Sequence, residues 1–273
     1  MKIHLISDIH VEMDKKLSLT APEQADVIVL AGDIAEGTDG VAWAQDNYGT
    51  QTPIIYICGN HEFYNNDMSV TKEIAAAAAG TNVHFLDNES VVIDGVRFLG
   101  TTLWSSFNDW SNLRAINFLH HKMSDYKYIS AKEFYKNNEL VERARAIAPI
   151  MMETKGGENN LIVPVITYML HLEAVKYLEA ELSKPFNGKT IVVTHHAPSY
   201  RSVNPHKRKL EDAYASSLDY LIEKHHKTIE GWFHGHLHVP VKYEINGVPI
   251  VSNPRDYPVF ACDKSVKDFI FEV

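Results

Sequence analysis

Five groups of metal-type side chains follow one another along this 273-residue chain. Asp8 and His10 stand in S-D-I-H after the apolar run 3–6, and Gly32-Asp33 follows the run Val27–Ala31. Gly59-Asn60-His61-Glu62 comes after residues 54–58, His195-His196 after 191–194, and Gly235-His236-Leu237-His238 after 232–234. Each group lies just past a short β-type run, where the strands of an α/β sheet end and sites assemble. Carboxylate, carboxamide and imidazole donors gathered in one place suit a pair of divalent metals, and hence metal-assisted hydrolysis.

The spacings carry the same chemistry. In an extended segment residues i and i+2 point the same way, so Asp8 and His10 converge on one ion. His236 and His238 repeat the spacing and offer one imidazole to each of two ions. Gly32 permits a tight turn before Asp33, whose two oxygens can bridge two cations and lower their repulsion. Asn60 adds a neutral carbonyl oxygen, suited to a site with open positions for water and substrate.

Taken in order, D-x-H, G-D, G-N-H-E, H and G-H-x-H resemble the calcineurin-like metallophosphoesterase superfamily, over a span from Asp8 to His238. The resemblance implies a four-layer α/β/β/α sandwich of two mixed sheets around a dinuclear centre. It implies Asp8, His10 and His238 on one ion, Asn60, His195 and His236 on the other, Asp33 between them, and His61 as the acid beside the leaving oxygen. His61, Asp33 and Asn60 are thus the implied catalytic set. His196 leaves the ligand open by one position; His195 is preferred because it directly follows the run and precedes Ala-Pro.

Two departures from the family pattern stand out. Glu36 occupies the place of an Asp that pairs with the catalytic His, and is expected either to orient His61 or to leave it unpaired. The segment 252–258 resembles an N-P-R-G-Y stretch with Asp256 in place of Gly, which is expected to alter the turn. Substrate contacts are sought at Asn60, His61, Arg201 and Arg255. Arg255 is either a phosphate clamp or a structural ion-pair partner. The run Arg201, Lys207, Arg208 and Lys209 either draws a phosphoryl ligand toward the metals or is a solvated loop. Tyr200 beside it offers a stacking face for a nucleobase.

The expected reaction is hydrolysis of a phosphate ester, foremost a phosphodiester, by a hydroxide held between two Mn, Fe or Zn ions. The diester reading leads because no clamp for a terminal dianion is evident. A phosphomonoesterase, acting on nucleotides or proteins, and an inactive metal-binding scaffold are the alternatives.

These groups need elements to carry them. Runs 3–7, 27–31 and 54–58 are nearly continuously apolar, as buried strands are. Asp39–Tyr48 and 67–79 read as helices between them. Asp94-Gly95 and Asn246-Gly247, each flanked by β-branched residues, read as two-residue hairpin turns. Residues 104–185 break the rhythm with a helical insertion, either a cap over the site or an outer layer of the core. In it, Ser130 to Glu133 reads as a capping box opening a helix, and Tyr168, Leu172, Val175, Leu178 and Leu182 form an apolar stripe. Gly156-Gly157 reads as a linker, and 210–225 as a further helix. The whole, 1–273, is read as a single domain.

Composition narrows the rest. A formal charge of −9 excludes general nucleic-acid affinity but not a small anionic substrate, because bound metals reverse the local field. Cys58 and Cys262 are too few for a disulfide scaffold and are expected to be structural. The longest apolar stretch, 161–170, is too short to span a bilayer. The first apolar run is cut by Asp8, so no secretory signal is read and a soluble cytoplasmic protein is expected.

Overall fold

In the computed structural model, which describes residues 1–154, 160–203, 210–260 and 266–273, the apolar runs become the central strands of two sheets. The first sheet has the order β11-β1-β2-β3-β4. Its strands are β1 (Lys2–Ile6), β2 (Val27–Ala31), β3 (Ile54–Ile57) and β4 (Val83–Phe85), all parallel, with β11 (Phe271–Glu272) antiparallel on the edge beside β1. The second has the order β5-β6-β7-β8-β10-β9. There β6 (Val96–Thr101), β7 (Lys189–Thr194), β8 (Ile229–Phe233) and β10 (Val248–Ser252) run parallel. At its edges β5 (Glu89–Ile93) and β9 (Val241–Ile245) are hairpin partners of β6 and β10. Both hairpins turn as their dipeptides require: Asp94 and Gly95 have φ 46° and 80°, Asn246 and Gly247 φ 49° and 82°.

Strand alternation explains the layers. Val27, Val29 and Ala31 point inward with Ile3, Leu5, Ile55 and Ile57 and meet Phe98, Ile191, Val193 and Phe233 of the second sheet. Ile28, Leu30, Ile54 and Tyr56 point the other way, onto α1 (Asp39–Tyr48) and α2 (Thr71–Ala78). Leu99, Val192, Trp232 and Ile250 on the far face of the second sheet pack against α9 (Pro164–Leu182) and α11 (Asp219–Lys224). Helices thus cover both outer faces, giving the four-layer order α/β/β/α.

Between β6 and β7 lie α3 (Phe107–Trp110), α4 (Leu113–Lys122), α5 (Asp125–Tyr128), α6 (Lys132–Lys136), α7 (Asn138–Ile147), α8 (Pro149–Thr154) and then α9. Several sequence expectations need correction here. Ser130 caps no helix: it forms bridges with Asp67 and Leu161, and its hydroxyl donates to Asp67. The cap one helix later is Asn137, which accepts from the N–H groups of Glu139 and Leu140. Pro164 opens α9, and the buried face of α9 includes Val165, Ile166, Met169, Leu178 and Leu182, while Leu172, expected in the apolar stripe, is exposed. The stretch 67–79 starts with a separate tight turn, Met68–Val70, before α2. Residues 210–225 are two helices, α10 (Glu211–Tyr214) and α11, because the Tyr214 carbonyl accepts from the Ala197 N–H and the Ser216 N–H donates to the Ala197 carbonyl, which holds the chain extended at Ala215. Cys58 is buried and free; Cys262, Lys207, Arg208, Lys209 and the Gly156-Gly157 pair lie outside the described residues. No helix among the described residues is long and apolar enough to cross a membrane.

Candidate metal centre

β1, β2, β3, β7 and β8 each deliver one donor group in the turn beyond their last residue, and all five turns meet at one edge of the two sheets. The convergence does not come from strand alternation, as the i, i+2 spacing suggests. Asp8, His10, Asp33, His236 and His238 all have left-handed backbone, with φ of 52°, 54°, 55°, 69° and 54°. Such conformations cost about 1–2 kcal/mol each and gather at functional sites. The motif glycines answer a different need. A Cβ on Gly32, itself at φ +85°, would stand 2.5 Å from His195 Nδ1, and one on Gly59 would stand 2.1 Å from Asp33 Oδ1.

The side chains form two donor groups that share Asp33: Asp8, His10, Asp33 and His238 in one, Asp33, His195 and His236 in the other. In the first, His10 Nε2 lies 3.4 Å from His238 Nε2 and 4.0 Å from Asp33 Oδ2, and His238 Nε2 lies 3.4 Å from Asp8 Oδ1. In the second, His195 Nε2 lies 3.3 Å from Asp33 Oδ1 and 3.2 Å from Asn60 Oδ1, which brings Asn60 to the same point.

Hydrogen bonds on the far side of each ring fix which atom faces inward. His195 Nδ1 donates to the Ala31 carbonyl at 2.9 Å and His238 Nδ1 to Asp256 at 2.7 Å, leaving both Nε2 lone pairs aimed at the donor groups. Asn60 Nδ2 donates to Asp125 at 2.9 Å, which turns Oδ1 inward. Asp8 accepts from the Ser7 hydroxyl and the His236 N–H. Among the described residues His236 Nε2 is buried without a hydrogen-bond partner, an unusual state for an imidazole nitrogen and the one a cation would relieve. The donor chemistry and this orphaned atom both fit divalent metals. His196 joins neither group; its Nδ1 faces the Thr102 carbonyl, and burial with His195 nearby pushes its pKa down to about 3.

Glu62 braces the site from beneath. Its buried carboxylate accepts from the N–H groups of Asp33, Ile34 and Gly59 and from the Tyr56 hydroxyl, so it locks the Asp33 turn to the Asn60 turn. Glu62→Ala strands these donors in the core and is expected to destabilise the fold by about 4 kcal/mol or more, measured by urea unfolding. A loss below about 1 kcal/mol would mean that water takes the place of the carboxylate.

His61 is held by Glu12, not by Glu36. Its Nδ1 donates to Glu12 Oε1 at 2.9 Å, and His10 Nδ1 reaches the same oxygen at 3.2 Å. His10, Glu12 and His61 therefore read as a hydrogen-bonded trio, although their atoms also lie within ligand distance of one another. Glu36 instead accepts from Asn65 Nδ2 at 3.0 Å. Burial would lower the His61 pKa, but the carboxylates of Asp33 and Glu12 hold it at about 9. Burial would raise Glu12, and its bonds from His10 and His61 hold it at about 2. Replacing the carboxylate in Glu12→Gln should lower the His61 pKa. An acid is lost as pH rises through its pKa, so the alkaline limb of kcat/KM should move to lower pH by about one unit. An unmoved limb would remove Glu12 from that role.

A cavity of about 550 Å³ opens over the donor groups, its walls including Tyr64, Lys122, Ser124, Tyr214 and Tyr257. Neither Arg201 nor Arg255 lines it. Arg255 is buried, donating to the Ile9 carbonyl and to Asp14, which is the structural role. Arg201 pairs with Asp219 at 3.0 Å, and the Tyr200 hydroxyl is tied to Asp212. Glu12, Asp125 and Lys122 were not singled out by sequence. Only Glu12 carried a signal, two residues beyond His10 in D-x-H-x-E.

With this geometry in view, comparison with known proteins gives a consistent answer. The calcineurin-like phosphoesterase family model matches residues 1–240, and the chain belongs to that family. Its members use divalent metal ions, and this chain is a metal-dependent phosphoric ester hydrolase. It is 24% identical, over 93% of its length and 91% of the relative's, to an uncharacterized protein of Acanthamoeba polyphaga mimivirus. Its fold is similar to that of a phosphopantetheinyl hydrolase from Mycobacterium tuberculosis, with TM-score 0.58 and 16% identity, covering 94% of this chain and 90% of that one.

Proposed function

We propose that the chain hydrolyses phosphodiesters with two metal ions, which Asp33 would hold in common. The observation that carries the reading is the division of one carboxylate, with Oδ2 toward His10 Nε2 and Oδ1 toward His195 Nε2, which also meets Asn60 Oδ1. Asp8, His10 and His238 would hold one ion, and Asn60, His195 and His236 the other. Two ions so held supply Lewis acidity toward the phosphoryl oxygens and a water that is deprotonated near neutral pH. The protein itself seats the ester in the cavity and, through His61 Nε2, passes a proton to the leaving oxygen. Glu12 keeps that ring oriented and protonated.

The preference for diesters rests on the cavity wall. Among the described residues it carries no arginine and one lysine, Lys122, so a terminal dianion meets little beyond the ions themselves. Lys122, Met123 and Ser124 belong to the inserted helices, which thereby act as a cover over the site and one catalytic unit with the sheets. Metal-reconstituted protein should turn over bis(p-nitrophenyl) phosphate faster than p-nitrophenyl phosphate. The reverse order would favour a phosphomonoesterase, and turnover of neither would leave a metal-binding scaffold.

A further inference from the structure

A second cavity, of about 280 Å³, adjoins the first and shares His61, Tyr64, Ser124 and Tyr257 with it. The two chambers therefore meet at the ring that carries the proton for the leaving group. Their charges differ. Lys122 lines only the larger, which also carries Asp33 and Asp256; Glu36 lines only the smaller, which besides the shared His61 has, among the described residues, no lysine or arginine. The smaller chamber is otherwise made of Met13, Asn65 and three tyrosines, Tyr64, Tyr128 and Tyr257. Tyr64 and Tyr128 stand with ring centroids 5.7 Å apart, inclined at 45°, and Tyr64 stacks on His61 at 4.2 Å. Among the described residues Glu36 forms no ion pair, and its one hydrogen-bond partner is the neutral amide of Asn65.

A carboxylate among tyrosine faces is the environment that recognises an organic ammonium group, through charge attraction and cation–π contact within about 6 Å of a ring. We infer that the smaller chamber receives the leaving alcohol, and that this alcohol carries an ammonium group: the substrate is a phosphodiester of an amino alcohol. The inference rests on the phosphodiester reading above. The step balances as hydrolysis. Water oxygen adds to phosphorus, the bond from phosphorus to the amino-alcohol oxygen breaks, that oxygen takes the proton from His61, and the proton the water gives up to solvent balances the one with which solvent recharges the ring. The products are the free amino alcohol and a phosphomonoester of the other substituent, which stays in the larger chamber toward Lys122. Glu36, which the sequence pattern places as a partner for His61, thereby acts as a specificity residue.

Product identity tests this directly. With glycerophosphoethanolamine, metal-reconstituted protein should release ethanolamine and glycerol phosphate; release of glycerol and phosphoethanolamine would put the amine in the wrong chamber and overturn the inference. Glu36→Gln should lower the ratio of kcat/KM for glycerophosphoethanolamine over that for bis(p-nitrophenyl) phosphate about tenfold. An unchanged ratio would equally overturn it. A binding measurement keeps the inference separate from the hydrolytic reading. Tetramethylammonium should quench tyrosine fluorescence saturably in the wild type and about tenfold more weakly in Glu36→Gln. Equal binding, or none, sinks the ammonium chamber whatever the catalytic result. Ammonium binding without turnover of any diester would retain the chamber and sink the reading of the reaction.

Discussion

Asp33→Asn protein, dialysed against dilute metal, should retain fewer ions than His10→Ala or Asn60→Ala protein, and its activity should fall near background. Asp33 is the one side chain common to both donor groups. Its Oδ1 also accepts the His61 N–H at 2.8 Å, beside His195. An asparagine keeps that bond only by placing its oxygen there, which turns its amide hydrogens toward His10. The first donor group then loses a ligand and gains a repulsive donor. Both groups lose the negative charge that offsets the repulsion between two cations. His10→Ala or Asn60→Ala touches only one group, so each should empty mainly one position. Excess metal should restore Asp33→Asn only in part. Elemental analysis beside activity decides the matter: two ions retained in full would show that Asp33 is not shared, and the assignment of Asn60 and His195 to a common centre would need redrawing.

The second large effect concerns His61. His61→Ala should keep the metals and lower turnover by about 10²–10⁴-fold, the range for a positioned general acid. The donor groups that share Asp33 do not contain His61, and its Nε2 lies 4.0 Å from Asp33 Oδ2 while Nδ1 is engaged with Glu12. The proton it delivers matters most when the leaving oxygen is strongly basic. Alkyl esters should therefore lose more than p-nitrophenyl esters, whose leaving group needs little protonation. Equal losses across the series would make His61 a stabiliser of charge on the phosphoryl group rather than an acid.

Much of the framework could be read from residue order because its signals are local. Val27–Ala31 forms a buried strand since nothing in it tolerates water, and Asp94-Gly95 and Asn246-Gly247 impose their turns through backbone conformation alone. The donors were legible for a chemical reason: imidazole and carboxylate following successive apolar runs have few other uses. The means of convergence was not legible. Left-handed backbone at Asp8, His10 and Asp33 is imposed by tertiary contacts, including the braces from Glu62. Helices break where distant residues compete for the chain. Ser130 is taken by Asp67, and Ser216 by Ala197 and by the Ser106 N–H. The partners of the donors stayed hidden for a related reason. Acidic residues on loops are common, and only the folded chain brings Asp256 to His238 or exchanges Glu12 for Glu36 beside His61.

Asp125 has a wider consequence. A primary amide has an electron-rich end and a proton-bearing end of almost the same shape, and Asn60 is useful to a cation only one way round. Asp125 decides which, by accepting from Nδ2 at 2.9 Å across 65 residues of sequence, with the Tyr64 hydroxyl bound to the same carboxylate oxygen. It stands at the start of α5, immediately after the cavity residues of the 122–124 turn. On the function proposed above, the inserted segment would be a latch as well as a wall. Lifting it would free the amide to turn over and present hydrogens where an electron pair was needed. With Asn60 as the proposed ligand, changes there that alter what the cavity admits would also have to keep that ligand facing the right way, harnessing selectivity and metal retention to the same short stretch of chain.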